Sequence, residues 1–235
     1  MNVITKVNGV EIGRTSRTER KPNYVIGVDL GQTTDYTAIS IVEIPESKRF
    51  NVIHLERMQL GTPYPQQVQH VKRLYDLVSK KGVTKLVVDK TGCGRPVVDQ
   101  MVENGLAPIG ISITAGNQDT REGLEWHIPK RDLIQSLVVA YQNYEVTVAA
   151  ELPHATTLES ELLNFTMKVS TAGKDTYGEW REGIHDDLVL SLAMAIYVSR
   201  QSSEPCVLVR SNAPSKYMAD CQGIDPFTLH RRKYR

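Results

Sequence analysis

The sequence predicts an α/β fold, and three observations carry that expectation. Three β-rich apolar segments follow one another near the start, separated only by short turn-forming stretches. Helical and strand periodicities then alternate through the middle of the chain. Finally, acidic residues sit at the ends of apolar runs that read as buried: Asp29 after Tyr24–Val28, Asp89 after Lys85–Val88, and Asp186-Asp187 ahead of Leu188–Ala193.

The elements follow in order. Residues 1–22 are polar, carry Arg14, Arg17, Arg20 and Lys21, and read as an N-terminal hairpin or loose arm. Tyr24–Leu30, Tyr36–Ile44 and Phe50–Leu60 form a three-stranded meander whose turns are Gly31–Thr34 and Pro45–Lys48. From Pro65 to Lys81, Val68, Val71, Leu74, Tyr75 and Val78 recur at helical spacing, and Gly82 ends the run. Lys85–Asp89 is a short buried strand, Pro96–Asn104 a helix closed by Gly105, and Ala107–Thr114 the next strand. The order so far is βββαβαβ.

A loop is expected over Ala115–Trp126, then a helix opened by Pro129 and another over Ala155–Phe165. Residues 166–184 contain Gly173, Gly178 and Gly183 among polar residues and suggest a β-ribbon or loop. A helix rich in Leu, Ala and Met runs from Asp186 to Ser199. Residues 23–200 thus form the main domain, and 201–235 a tail ending in Arg231-Arg232-Lys233-Tyr234-Arg235.

Composition narrows the function classes only a little. The chain has 235 residues, enough for a substantial core, and 28 Lys plus Arg balance 27 Asp plus Glu. No global charge therefore marks a nucleic-acid binder. Cys93, Cys206 and Cys221 form no CxxC or Cys/His pair, which speaks against a disulfide framework or structural zinc. With no signal-peptide pattern and no apolar run of roughly 20 residues, a soluble, cytoplasmic protein without a membrane partner is expected.

The acidic residues carry the chemistry. In a βββαβ layout the first and fourth strands are parallel neighbours, so Asp29 and Asp89 emerge at one sheet edge, and a helix starting at Asp186 can bring further acids beside them. Carboxylates on rigid supports make a cage of hard oxygens suited to Mg²⁺ or Mn²⁺. Two such ions can drive phosphodiester hydrolysis. Each piece has a plainer explanation: Asp29 can serve the Gly31 turn, Asp89 can feed a cap, and an acid at a helix start is good capping. Two adjacent acids plus His185 exceed what a cap requires.

Four strings together resemble one family. They are Gly27-Val28-Asp29-Leu30-Gly31 with Asp35, Val87-Val88-Asp89-Lys90-Thr91-Gly92, Ile128-Pro129-Lys130-Arg131-Asp132-Leu133, and His185-Asp186-Asp187-Leu188-Val189. Over residues 22–200 the chain resembles the nuclease domain of the large terminase subunit of tailed bacteriophages, within the ribonuclease H-like superfamily. The resemblance implies a mixed central β-sheet flanked by α-helices and Mg²⁺- or Mn²⁺-dependent cutting of double-stranded DNA in viral packaging, in the host cell cytoplasm. Asp29 would bridge two ions, Asp89 would hold one, and Asp186 or Asp187 the other. Lys130 and Arg131 would contact the DNA backbone, and His185 and Asp35 would give support. Residues 166–184, with Lys174 and Arg181 as DNA contacts, are similar to the β-hairpin near the site of terminase nucleases.

The chain departs from a full large terminase in one respect: it contains no GxxxxGK[ST] phosphate loop. An excised domain, a stand-alone nuclease and one half of a motor split over two chains are all compatible with this, Met1 weighing slightly towards a natural start. The resemblance implies a separate ATPase motor, small terminase or portal protein as partners. A Holliday-junction resolvase would use the same chemistry. Asp29-Leu30-Gly31-Gln32-Thr33-Thr34 also resembles the phosphate hairpin of actin-like kinases, but the second hairpin and adenosine motif are not found. A non-catalytic assembly module would not need four acids at the motif positions. Within the adjacent pair, helical spacing from Leu192 favours Asp186 over Asp187 as the main ligand.

Overall fold

The computed structural model describes residues 2–7, 10–16, 21–91, 95–171 and 186–201, with side-chain surroundings for residues 21–91, 95–165 and 186–201. Strands β1 (Asn2–Val7) and β2 (Val10–Ser16) pair antiparallel as a separate two-stranded sheet. The main sheet begins with the expected meander: β3 (Asn23–Asp29), β4 (Ala38–Ile44) and β5 (Phe50–Arg57) are joined antiparallel. Helix α1 (Tyr64–Ser79) then returns the chain to β6 (Val83–Asp89), which lies parallel to β3 with Val28 opposite Val88. Helix α2 (Arg95–Glu103) leads to β7 (Ile109–Thr114), parallel to β6.

The segment expected to be a loop, Ala115–Trp126, holds two further strands. They are β8 (Thr120–Glu122) and β9 (Glu125–Pro129), and β9 runs parallel to β7 while β8 folds back antiparallel to it. Their residues lack apolar alternation because β8 is an edge strand and only Ile128 and Pro129 of β9 are buried. Backbone pairing with β7 sets this conformation instead. Helix α3 (Lys130–Gln142) follows directly, with Pro129 as its N-cap residue. A short strand, β10 (Val146–Val148), adds to the far edge beside β5. Helix α4 (Ala155–Thr171) runs past Phe165, so residues 166–171 are helical rather than ribbon; the remainder of that segment, 172–184, lies outside the described residues, as does the 202–235 tail. Helix α5 (Asp187–Gln201) completes the fold.

The result is an eight-stranded mixed sheet of order β10-β5-β4-β3-β6-β7-β9-β8. One face carries α1 and α2 over Ile26, Val28, Ile39, Leu86 and Val88, with Met101 of α2 packed into the same cluster. The other carries α5, itself covered by α3 and α4. Every residue of α5 from Leu188 to Val198 is buried, as befits a helix with apolar residues all round. No described helix is long and apolar enough to cross a membrane.

The fit of α5 onto the sheet depends on small residues. A Cβ on Gly27 of β3 would lie 2.0 Å from the Ser191 carbonyl oxygen and 3.2 Å from the Ala195 Cβ. Beside this contact the Ser40 and Ser191 hydroxyls stand 2.6 Å apart and satisfy each other, and Ser191 Oγ also lies 3.0 Å from the Leu188 carbonyl oxygen. Since the obstacle is helix backbone, Gly27→Ala should lose more than the about 1–3 kcal/mol typical of an overpacked core. A urea midpoint within error of wild type would show that the contact is not this close.

Candidate active site

Topology gathers the acidic residues at one edge of the sheet. Strands β3, β6, β7 and β9 are mutually parallel, so Asp29, Asp89, the end of β7 and Lys130 all emerge on the same side. Ala38 opens β4 opposite Asp29 on one side and Arg57 on the other, which puts the end of β5 at this edge as well. Helix α5 lies along β3 with Ser191 over Gly27, and its start therefore reaches Asp29.

A buried polar network shapes the turn after Asp29. Thr37 Oγ1 accepts the Gly31 N–H at 3.0 Å and lies 2.8 Å from both the Gly31 oxygen and Gln67 Oε1, to one of which it donates. Gln67 Nε2 of α1 donates to the Gly31 and Thr62 carbonyls at 2.8 Å. Gly31 is required here because a Cβ would lie 2.2 Å from the Asp35 oxygen.

The carboxylates act on one another. Burial above all, then the charges of Asp89, Asp187 and Asp186, push Asp29 well above the usual carboxylate range, and Lys130 opposes the shift. Asp89 is also raised by burial, against two hydrogen bonds: its Oδ1 accepts the Thr91 N–H at 2.7 Å and the Thr91 hydroxyl at 2.5 Å. That hydroxyl in turn accepts the Ile113 N–H at 2.8 Å, anchoring the rotamer to β7. Asp186 is raised by burial and lowered by Lys130, whose Nζ lies 3.0 Å from Asp186 Oδ2. Asp187 is 5% exposed, and Arg57 Nη2 stands 3.6 Å from its Oδ2.

Two members of this group do not figure in the sequence-based set. Arg57 pairs with Glu161 of α4, and Glu161 Oε2 also accepts the Val189 N–H of α5 at 3.0 Å. Burial pushes Glu161 up to about 7 despite both partners. Each had a periodic signal. Arg57 stands two residues after buried Leu55 on the same strand face, and Glu161 stands three residues after buried Leu158 and four before buried Phe165.

The other expected residues divide. Lys130 joins the carboxylates. Arg131 does not; its Nε pairs with the adjacent Asp132 at 3.3 Å. Asp35 is exposed, yet near enough for its charge to raise Asp186. Lys174, Arg181 and His185 lie outside the described residues. Within the adjacent acidic pair, Asp187 influences Asp29 more than Asp186 does.

Among the described residues, no three His, Cys, Asp or Glu side chains stand in a preassembled metal cage. The donor set still fits a hard divalent cation: it consists of carboxylate oxygens, and a cation would offset both the burial and the neighbouring negative charges that raise Asp29.

The elevation of Glu161 fixes a pH dependence. Its ordinary value is 4.5 and its folded value about 7, so between these the folded state binds more protons than the unfolded state. Stability then falls as pH rises through that window. Urea midpoints measured across it should decline less for Glu161→Gln than for wild type; equal declines would remove Glu161 from this balance.

Sequence comparison finds no matching family and no matching curated protein. Comparison with solved structures does find likenesses. The nuclease of the large terminase from thermophilic phage G20c, a structure with bound magnesium, is 25% identical over 75% of this chain and 81% of that one, with a TM-score of 0.49. RuvC from Thermus thermophilus is 15% identical over 77% of this chain and 99% of that one, with a TM-score of 0.37. The large terminase from another thermophilic bacteriophage superposes with a TM-score of 0.53 at 10% identity, over 78% of this chain and 41% of that one. The last is a likeness of fold, and it agrees with the strand order and helix placement above: the chain resembles large terminases in having an α/β, ribonuclease H-like fold with a mixed central sheet flanked by helices.

Proposed function

We propose that this chain is a Mg²⁺- or Mn²⁺-dependent endonuclease that hydrolyses double-stranded DNA, of the phage terminase nuclease type. The observation that carries the reading is the convergence of Asp29 from β3, Asp89 from β6, Asp187 from the first turn of α5 and Asp186 just ahead of it on one sheet edge, where their charges act on each other. Asp29 and Asp89 would hold the ions together with the α5 acids. Of that pair Asp187 is the stronger candidate, because its charge weighs more on Asp29 and Lys130 engages Asp186. Two bound ions would activate water and neutralise charge on the phosphate and the leaving oxygen.

The chain's own residues supply the rest. Thr91 fixes the Asp89 rotamer, so one ligand is preorganised before substrate arrives. Lys130 places an ammonium at the same edge, where it balances Asp186 and offers positive charge to a phosphodiester. No Walker loop occurs in the 235 residues, so ATP-driven packaging would be the work of a separate ATPase unit, with small terminase or portal protein as further partners.

A nicking assay on supercoiled plasmid tests the reading. Cleavage should require Mg²⁺ or Mn²⁺ and stop with EDTA, while Ca²⁺ should bind without turnover. Cleavage that persists after exhaustive chelation would contradict the proposal. Including a four-way junction beside linear duplex separates the resolvase alternative, which cuts the junction preferentially. Asp29→Asn should abolish nicking and raise the melting temperature without divalent ions, since it removes one of the repelling charges. Near-normal nicking by the folded variant would remove Asp29 from the site. Of Asp186→Asn and Asp187→Asn, the latter should lower cleavage and Mn²⁺ affinity more; negligible effects from both would exclude α5.

A further inference from the structure

Arg57 and Glu161 are both nearly buried at the same edge as the acidic cluster. Their side chains are 14% and 5% exposed, and that of Asp187 is 6% exposed. One guanidinium thus faces two carboxylates from different helices. It is not shared evenly. Arg57 Nη2 is in direct hydrogen-bond contact with Glu161 Oε1, whereas the same nitrogen is 3.6 Å from Asp187 Oδ2, beyond the about 2.7–2.9 Å of a charge-assisted hydrogen bond. The Tyr36 ring, 4.9 Å from the guanidinium carbon, gives a further restraint on the planar group.

Glu161 is itself held on two sides. Its Oε2 accepts the Val189 N–H in the first turn of α5, so the carboxylate that retains Arg57 is tied to the helix bearing Asp187. Were Glu161 neutral, the guanidinium would have one anion left to approach, and a bidentate arginine–carboxylate pair on Asp187 would compete with any cation there.

Resting on the proposed metal-dependent site, we propose that Glu161 is a positioning residue that holds the Arg57 guanidinium off Asp187, and so sets the affinity of the carboxylate cluster for a divalent cation. Arg57 is the counterweight. It limits repulsion among the acids but is kept from closing on the one that would take the ion. A purely structural clamp and this device differ in sign. Loss of either member of a clamp loosens α5 and weakens cation binding; here the two losses act in opposite directions.

The test is Mn²⁺ binding by calorimetry at mildly alkaline pH, with thermal melting in parallel, on wild type, Asp29→Asn, Glu161→Gln and Arg57→Gln. Glu161→Gln retains an acceptor for Val189 and should fold; its Mn²⁺ affinity should fall by about tenfold. Arg57→Gln should bind Mn²⁺ more tightly than wild type while melting lower without metal. If Arg57→Gln does not fold, the Glu161→Gln affinity decides. Unchanged affinity in Glu161→Gln, or parallel weakening in both variants, overturns the inference while leaving the metal site standing, provided that wild type binds Mn²⁺ and Asp29→Asn does not. Failure of wild type to bind, or unaltered binding by Asp29→Asn, overturns the metal-site reading and this inference with it.

Discussion

The close approach of α5 to β3 is the constraint on which the rest of the arrangement depends. Gly27 has no Cβ, so the Ser191 backbone can rest almost directly on the strand, and the two buried hydroxyls beside the contact, Ser40 and Ser191, satisfy each other. With that contact fixed, one turn of helix separates Ser191 from Asp187, while two residues of strand separate Gly27 from Asp29. The acids at the start of α5 must then meet the acid at the end of β3. An apolar seam thereby forces like charges together, and burial against α3 and α4 holds them there.

The protein meets this repulsion with fixed cations as well as raised pKa values. Lys130 faces Asp186, Arg57 lies between Glu161 and Asp187, and Asp29 rises well above the ordinary carboxylate range. Under the proposed function, stability and activity would pull in different directions at such an edge: replacing a carboxylate by its amide would relieve repulsion between the acids and remove a ligand. Residues that perturb one another in this way cluster at functional sites.

Much of this was legible in the sequence where one element carries its own signal. Asp29 and Asp89 end strands whose apolar runs are unambiguous, and the meander plus one crossover helix is enough to make those strands parallel neighbours. Asp186 and Asp187 open a helix whose apolar character is plain. Where position comes from pairing between distant segments, the sequence was silent. Glu125, Trp126 and His127 do not alternate, so β9 was not visible, and with it the reason that Lys130 reaches the carboxylates. Glu161 sits in Leu158-Glu159-Ser160-Glu161-Leu162, where its neighbour Glu159 is exposed; only the phase relative to Leu158 and Phe165 tells the two acids apart. Arg57 likewise looks like a strand-end charge until α4 and α5 are seen to cover it. The proposed preference for Asp187 over Asp186 rests on what stands beside each side chain, Arg57 for the one and Lys130 for the other, which helical spacing from Leu192 does not encode.

The central claim is that the acids of β3, β6 and α5 form one cation site. A crystal of the protein soaked in Mn²⁺ and measured for anomalous scattering tests it most directly. The account predicts anomalous density at the sheet edge, within ligating reach of Asp29, Asp89 and the start of α5. Ordered, ionised carboxylates at that edge with no manganese between them, at a concentration that supports cleavage, would contradict it.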